Sequence, residues 1–118
     1  MLIRSQDKES LIAIDGNFVE ILKYGDLSEC SITVSTRDHS SLHVMARYSS
    51  VEKALKVLDM IQEAYEEYKI TCTFLTGFTG HRAIVELNDI HVNGFEELIK
   101  SFKKNMVFQM PEDGSVEV

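Results

Sequence analysis

At Ser49 the spacing of apolar residues changes, and this change restricts the chain to a small set of folds. Upstream, Cys30, Ile32 and Val34 alternate with Ser31, Thr33 and Ser35, and Leu42, Val44 and Ala46 alternate with His43, Met45 and Arg47. A period of two describes strands with one wet face. Downstream, Val51, Ala54, Leu55, Leu58, Ile61, Tyr65 and Tyr68 recur at intervals of three and four, the single apolar stripe of a helix of about five turns. Ser49-Ser50-Val51-Glu52 has the spacing of a capping box, which places the helix cap at Ser49 with Glu52 reaching back to it.

The remaining elements follow from turn chemistry. Leu2 to Ser5 reads as a short strand and Gln6 to Ser10 as a polar turn. Leu11 to Ile14 and Phe18 to Leu22 flank Asp15-Gly16-Asn17, and Asp-Gly supplies the positive φ angles of a tight hairpin. Ile70 to Thr76, rich in β-branched residues, predicts a strand. A turn at Gly77 to Gly80 and a strand over Ala83 to Leu87 come next. Asn93 caps a second helix with Phe95, Leu98, Ile99 and Phe102 on its inner face. Glu96 and Glu97 lie at its start and Lys100, Lys103 and Lys104 near its end, the order that suits the helix dipole. Met106 to Met110 is a last strand, stopped by Pro111. Grouped strands with a helix between them predict an α+β fold: one mainly antiparallel sheet with two helices on one face, in a single domain over residues 1–118. The other face, with Ser31, Thr33 and Ser35, is left to water or a partner.

Charge and cysteine usage narrow the function classes. A net charge of −7 over 118 residues argues against direct binding of nucleic acid or anionic lipid, since both need basic surface. Cys30 and Cys72 sit in apolar stretches without metal-ligand spacing and read as free thiols. The charged start lacks the apolar stretch of a signal peptide, and no apolar run approaches the ~18 residues of a membrane span. A cytoplasmic protein is the expectation.

Sequence patterns for chemistry are sparse. His39, His43, His81 and His91 form no metal-binding motif, and no nucleophile elbow is present. No catalytic residue, metal or cofactor is expected. Gly77, Gly80 and Arg82 form a Gly-x-x-Gly-His-Arg segment that suits an anionic small ligand such as a nucleotide, with a plain hairpin loop as the alternative. The first helix carries Glu52, Asp59, Glu63 and Glu66 along one side, with Glu67 adjoining. Glu63, Glu66 and Glu67 fall near the expected end of that helix, where the dipole opposes them. Either Lys69, Lys100, Lys103 and Lys104 neutralise them, or they form an acidic face for a basic groove on a partner. Glu112 and Asp113 extend this face or belong to a frayed end.

Three segments together carry a family resemblance: Leu2-Ile3-Arg4-Ser5-Gln6-Asp7-Lys8, Arg47-Tyr48-Ser49-Ser50 leading into Ala54-Leu55-Lys56-Val57-Leu58-Asp59-Met60-Ile61, and Phe108-Gln109-Met110-Pro111-Glu112-Asp113 with Val116-Glu117-Val118. The chain resembles a family of small uncharacterised proteins of phages, prophages and mobile elements of Gram-positive bacteria. The resemblance spans under half the chain and carries over no catalytic residue. It implies an accessory protein that acts by binding a host or phage protein, with inhibition of a host defence or nucleic-acid-handling protein as its sharpest form. A small anionic-ligand binder and a homodimeric structural subunit are the alternatives.

Overall fold

The structure, a computed structural model, describes residues 1–25, 29–76, 97, 100, 103, 104 and 106–118. Within them the α+β class holds, but the strands form two three-stranded sheets. In the first, β1 (Leu2–Arg4) lies between β2 (Leu11–Ala13) and β6 (Val107–Gln109). The β1–β2 pair is antiparallel and the β1–β6 pair is parallel, with Ile3 opposite both Ile12 and Phe108. In the second, β4 (Cys30–Ser35) lies between β3 (Phe18–Lys23) and β5 (Leu42–Tyr48), and both pairs are antiparallel. A long helix, α1 (Val51–Thr76), packs against the second sheet.

The Asp15-Gly16-Asn17 turn forms, with Gly16 at φ +77° and the Asn17 N–H donating to the Ile14 carbonyl at 3.1 Å. It does not close a hairpin. β2 pairs back onto β1 and β3 pairs forward onto β4, so the turn is a corner between sheets. Turn chemistry fixes only local direction; the strands on either side took partners that bury Ile3 and Ile32 completely.

The sheets are tied a second time by a bulge. Ile32 faces Ala46 and Thr33 faces Val44, so Met45 is the extra residue on β5. A bulged residue leaves the ladder, and the Met45 carbonyl accepts the Gln6 N–H at 2.7 Å. The Gln6 side chain then behaves like one more strand residue. Its Oε1 accepts the Arg47 N–H at 3.1 Å, and its Nε2 donates to the Arg47 and Pro111 carbonyls at 3.3 and 3.1 Å.

Three expectations are corrected, two along α1 and one on β4. The cap is Ser50, whose hydroxyl accepts the Lys53 N–H at 3.3 Å; Ser49 instead turns outward to Asp113. The strand expected over Ile70 to Thr76 is helix. Thr71 is buried and Cys72 half-buried, continuing the inner stripe from Tyr68, and no Gly or Pro intervenes before Gly77. Adding residues to an existing helix costs no new nucleation, which outweighs the β-preference of Ile and Thr. On β4 the face bearing Ser31, Thr33 and Ser35 is also not wet: all its residues are buried, with Phe18, Leu22, Leu42 and Val44 of the flanking strands beside these three.

Most of the expected second helix, and the strand over 83–87, lie outside the described residues. Glu97, Lys100, Lys103, Lys104 and Met106 are helical, so the last strand begins at Val107. The core gathers Ile3, Ile32, Val34, Met45, Tyr48, Ala54, Val57, Ile61 and Met110 between the two sheets and α1. No described helix is long and apolar enough to cross a membrane.

Candidate functional site

The inner positions of α1, Ala54, Val57, Ile61 and Thr71, are buried. Helical geometry therefore points Glu52, Asp59, Glu63 and Glu66 directly away from the core, and all four are exposed, as are Lys56 and Glu67. At ~1.5 Å per residue, the 26 residues of α1 present this stripe on a rod about 39 Å long. Ile70, 71% exposed, lies one turn beyond Glu66 in the same row.

Two parts of the sequence reading change here. The helix continues ten residues past Glu66, to Thr76, so Glu63, Glu66 and Glu67 are mid-helix and the dipole, felt in the last turn, does not oppose them. Lys69 makes no ion pair with Glu63 or Glu66; its ammonium lies 5.7 Å from the centre of the Tyr65 ring. Among the described residues neither Glu63 nor Glu66 has a cation within 4 Å, and Glu66 accepts only the Gln62 amide at 3.2 Å.

Asp113 packs the C-terminal segment onto the start of α1 while its side chain stays 40% exposed. Its Oδ1 accepts the Ser49 N–H at 2.8 Å and the Ser49 hydroxyl at 3.0 Å, and lies 3.6 Å from the Lys53 ammonium. A negative charge beside the first turn of a helix is favourable. The Ser49 N–H, more than any other group, holds this carboxyl below the usual carboxylate range. The segment around it is anchored: the Tyr48 hydroxyl donates to the Pro111 carbonyl at 2.8 Å, Met110 and Val116 are buried, and the Lys56 ammonium meets the Glu117 carbonyl. Glu112 is exposed next to this anchor. The sequence offered no signal for the Ser49–Asp113 contact, which joins positions 64 apart.

Gly77, Gly80 and Arg82 lie outside the described residues. His39 stacks on Phe18 at 5.6 Å, and the His43 Nε2 is 2.9 Å from the Ser41 hydroxyl on the surface. No carboxylate orients the other ring nitrogen of His43 among the described residues, and no group there could hold a metal ion. Cys30 is buried with its thiol toward the Ser50 carbonyl at 3.3 Å, and burial pushes its pKa up, which opposes thiolate chemistry.

One further surface was half legible. Register puts Phe18, Leu22, Leu42 and Val44 on the outer face of the second sheet, over Ser31, Thr33 and Ser35. These four are 40 to 53% exposed, so the face expected to be polar is apolar at its rim. Comparison of the chain with family models, curated proteins and solved structures returns no match.

Proposed function

We propose that the protein acts by binding another protein, and that the solvent face of α1 is the surface it presents. The observation that carries this reading is the stripe of Glu52, Asp59, Glu63 and Glu66, exposed on the side of the helix opposite the core, with Glu67 beside it. A rigid helix holding four carboxylates in a row suits a basic groove, where complementary charge speeds encounter and sets specificity. Glu112 and Asp113 are candidates for the margin of this surface. The resemblance to accessory proteins of phages and mobile elements supports a host or phage protein as partner, and inhibition of a defence or nucleic-acid-handling protein as the consequence.

Co-purification from its own host at low and at ~0.5 M salt is the direct experiment. Steering by exposed charge weakens as the Debye length falls toward a few Å, so a partner held through this face is recovered at low salt and released at high salt. It is absent when Glu63, Glu66 and Glu67 are replaced by Lys. Recovery of every partner unchanged by that triple replacement would remove the acidic face from the mechanism.

A second reading, self-association, is favoured by the exposed Phe18, Leu22, Leu42 and Val44 on the outer sheet face. Light scattering of the wild type against Phe18→Ser and Leu42→Ser separates it from the first.

A further inference from the structure

The groove beside β1 holds two cations, Arg4 and Lys8, that make no ion pair among the described residues. About 560 Å³ in volume, it is lined by Arg4, Lys8, Glu9, Ser10, Leu11 and Val107, and falls within the size range of small-molecule sites. Arg4 projects from the outer face of β1, opposite Leu11 on one side and Gln109 on the other. Its Nε donates to the Lys8 carbonyl at 3.3 Å. Its terminal N–H groups meet no acceptor among the described residues, and neither Arg4 nor Lys8 has a carboxylate within 4 Å there, although Glu9 lines the same groove.

The loop that presents Lys8 is closed by hydrogen bonds and strained at Lys8. Lys8 stands at φ +68°, a left-handed conformation that residues with a Cβ seldom adopt. Several hydrogen bonds enforce it. The Lys8 N–H donates to the Ser5 carbonyl at 2.9 Å and the Ser5 N–H to the Ser10 carbonyl at 2.9 Å. Asp7 Oδ1 accepts the Ser5 hydroxyl and the Glu9 N–H, and the Ser5 hydroxyl accepts the Ser10 N–H at 3.0 Å. Glycine or asparagine would satisfy this geometry at less cost, so a lysine held here is a strained residue in the sense that often accompanies a binding role. The walls are apolar, with Leu11 56% and Val107 39% exposed.

We propose that this groove binds a small amphiphilic anion, a single carboxylate on an apolar body, with Arg4 and Lys8 holding the carboxylate and Leu11 and Val107 the body. Among the described lining residues, two cations and one glutamate leave one positive unit, which fits a monoanion better than a polyphosphate. The site is separate from the acidic face of α1.

Isothermal titration of the full chain with octanoate, octylamine and inorganic phosphate tests the assignment. Octanoate is expected to bind at one site, phosphate at least about tenfold more weakly, and octylamine not at all. Lys8→Gly removes the charge but accepts the left-handed backbone. It should therefore unfold at the same or a higher temperature than the wild type while weakening octanoate by about tenfold or more, the usual effect of losing a charged hydrogen-bond partner. Arg4→Gln should weaken it comparably. Absence of octanoate binding to the wild type overturns the proposal. So does octylamine binding as tightly as octanoate, or Lys8→Gly and Arg4→Gln both binding octanoate as the wild type does.

Discussion

Asp113 and Glu63 carry the same chemical group on the same helix-bearing half of the molecule, yet their surroundings are opposite. The Asp113 carboxylate takes two hydrogen bonds from Ser49 and faces the Lys53 ammonium. Glu63 is exposed and makes no ion pair among the described residues. The first carboxylate fastens the C-terminal segment to the start of α1; the second contributes nothing visible to the fold. Negative charge in an acidic chain is therefore not one property. What distinguishes a structural acid from an available one is whether donors have been brought to it, and that is decided by contacts across the whole chain.

The largest way to break the fastened region is through Tyr48. It is 1% exposed and its hydroxyl reaches the Pro111 carbonyl. Tyr48→Ala should cost about 3–5 kcal/mol in urea unfolding, as large-to-small changes of buried aromatics do. Tyr48→Phe, which removes only the hydroxyl, should cost about 1 kcal/mol. Equal losses in the two variants would show that the hydrogen bond, and not the packing, holds the segment.

The helix cap comes next. Ser50→Ala should destabilise by about 1 kcal/mol, the usual cost of losing an N-cap, whereas Ser49→Ala removes one of two bonds to Asp113 and leaves the cap. A larger loss at Ser49 would restore the capping-box register read from Ser49 and Glu52.

Asp113→Asn tests the charge itself, and its effect near neutral pH should be smaller than that of Ser50→Ala, because an amide oxygen still accepts from Ser49 and the Lys53 pair is screened by solvent. The pH dependence has a defined sign. The Asp113 carboxyl is held below its ordinary value of 3.8, first by the Ser49 N–H, with Lys53 adding to it. A carboxyl with a depressed folded-state pKa adds stability above its unfolded value and loses it as pH falls through the folded one. The gap between wild type and Asp113→Asn should accordingly be full above pH 3.8 and close below it. Urea midpoints taken from pH 6 down to pH 2 would check this. Asp38 moves in the same direction, down to about 2, under hydrogen bonds from Thr36 and Ser40, so the wild type itself should lose stability over the same range.

The contrast also explains how much could be read without coordinates. Strand identities over Cys30–Ser35 and Leu42–Tyr48, and a helix from Val51, were legible because each depends on local periodicity. The length of α1 was misread because Ile70, Thr71 and Thr73 carry strand preference, while their helical state depends on Thr71 and Cys72 finding a packing surface. Sheet partnership failed in a similar way. Asp15-Gly16 correctly announced a turn, but whether β2 or β4 would pair with β3 rests on long-range burial of Ile3 and Ile32. The exposed acids Glu63, Glu66 and Glu67 were legible as a stripe. The docking of Asp113 was not, nor was the strain at Lys8, which no residue type advertises.

The smallest effect on folding is expected where the effect on function should be greatest. Reversing Glu63 and Glu66 to Lys changes exposed positions in the middle of α1, where substitutions usually shift stability by less than about 0.5 kcal/mol. Reversal at Glu66 would also place a like charge three residues from Lys69, a term of only a few tenths of a kcal/mol. The urea midpoint should stay near that of the wild type while partner recovery at low salt is lost. A midpoint that falls as far as Tyr48→Phe would mean these carboxylates stabilise the fold after all. They would then belong with Asp113, and the division between fastened and available acids would have to be redrawn.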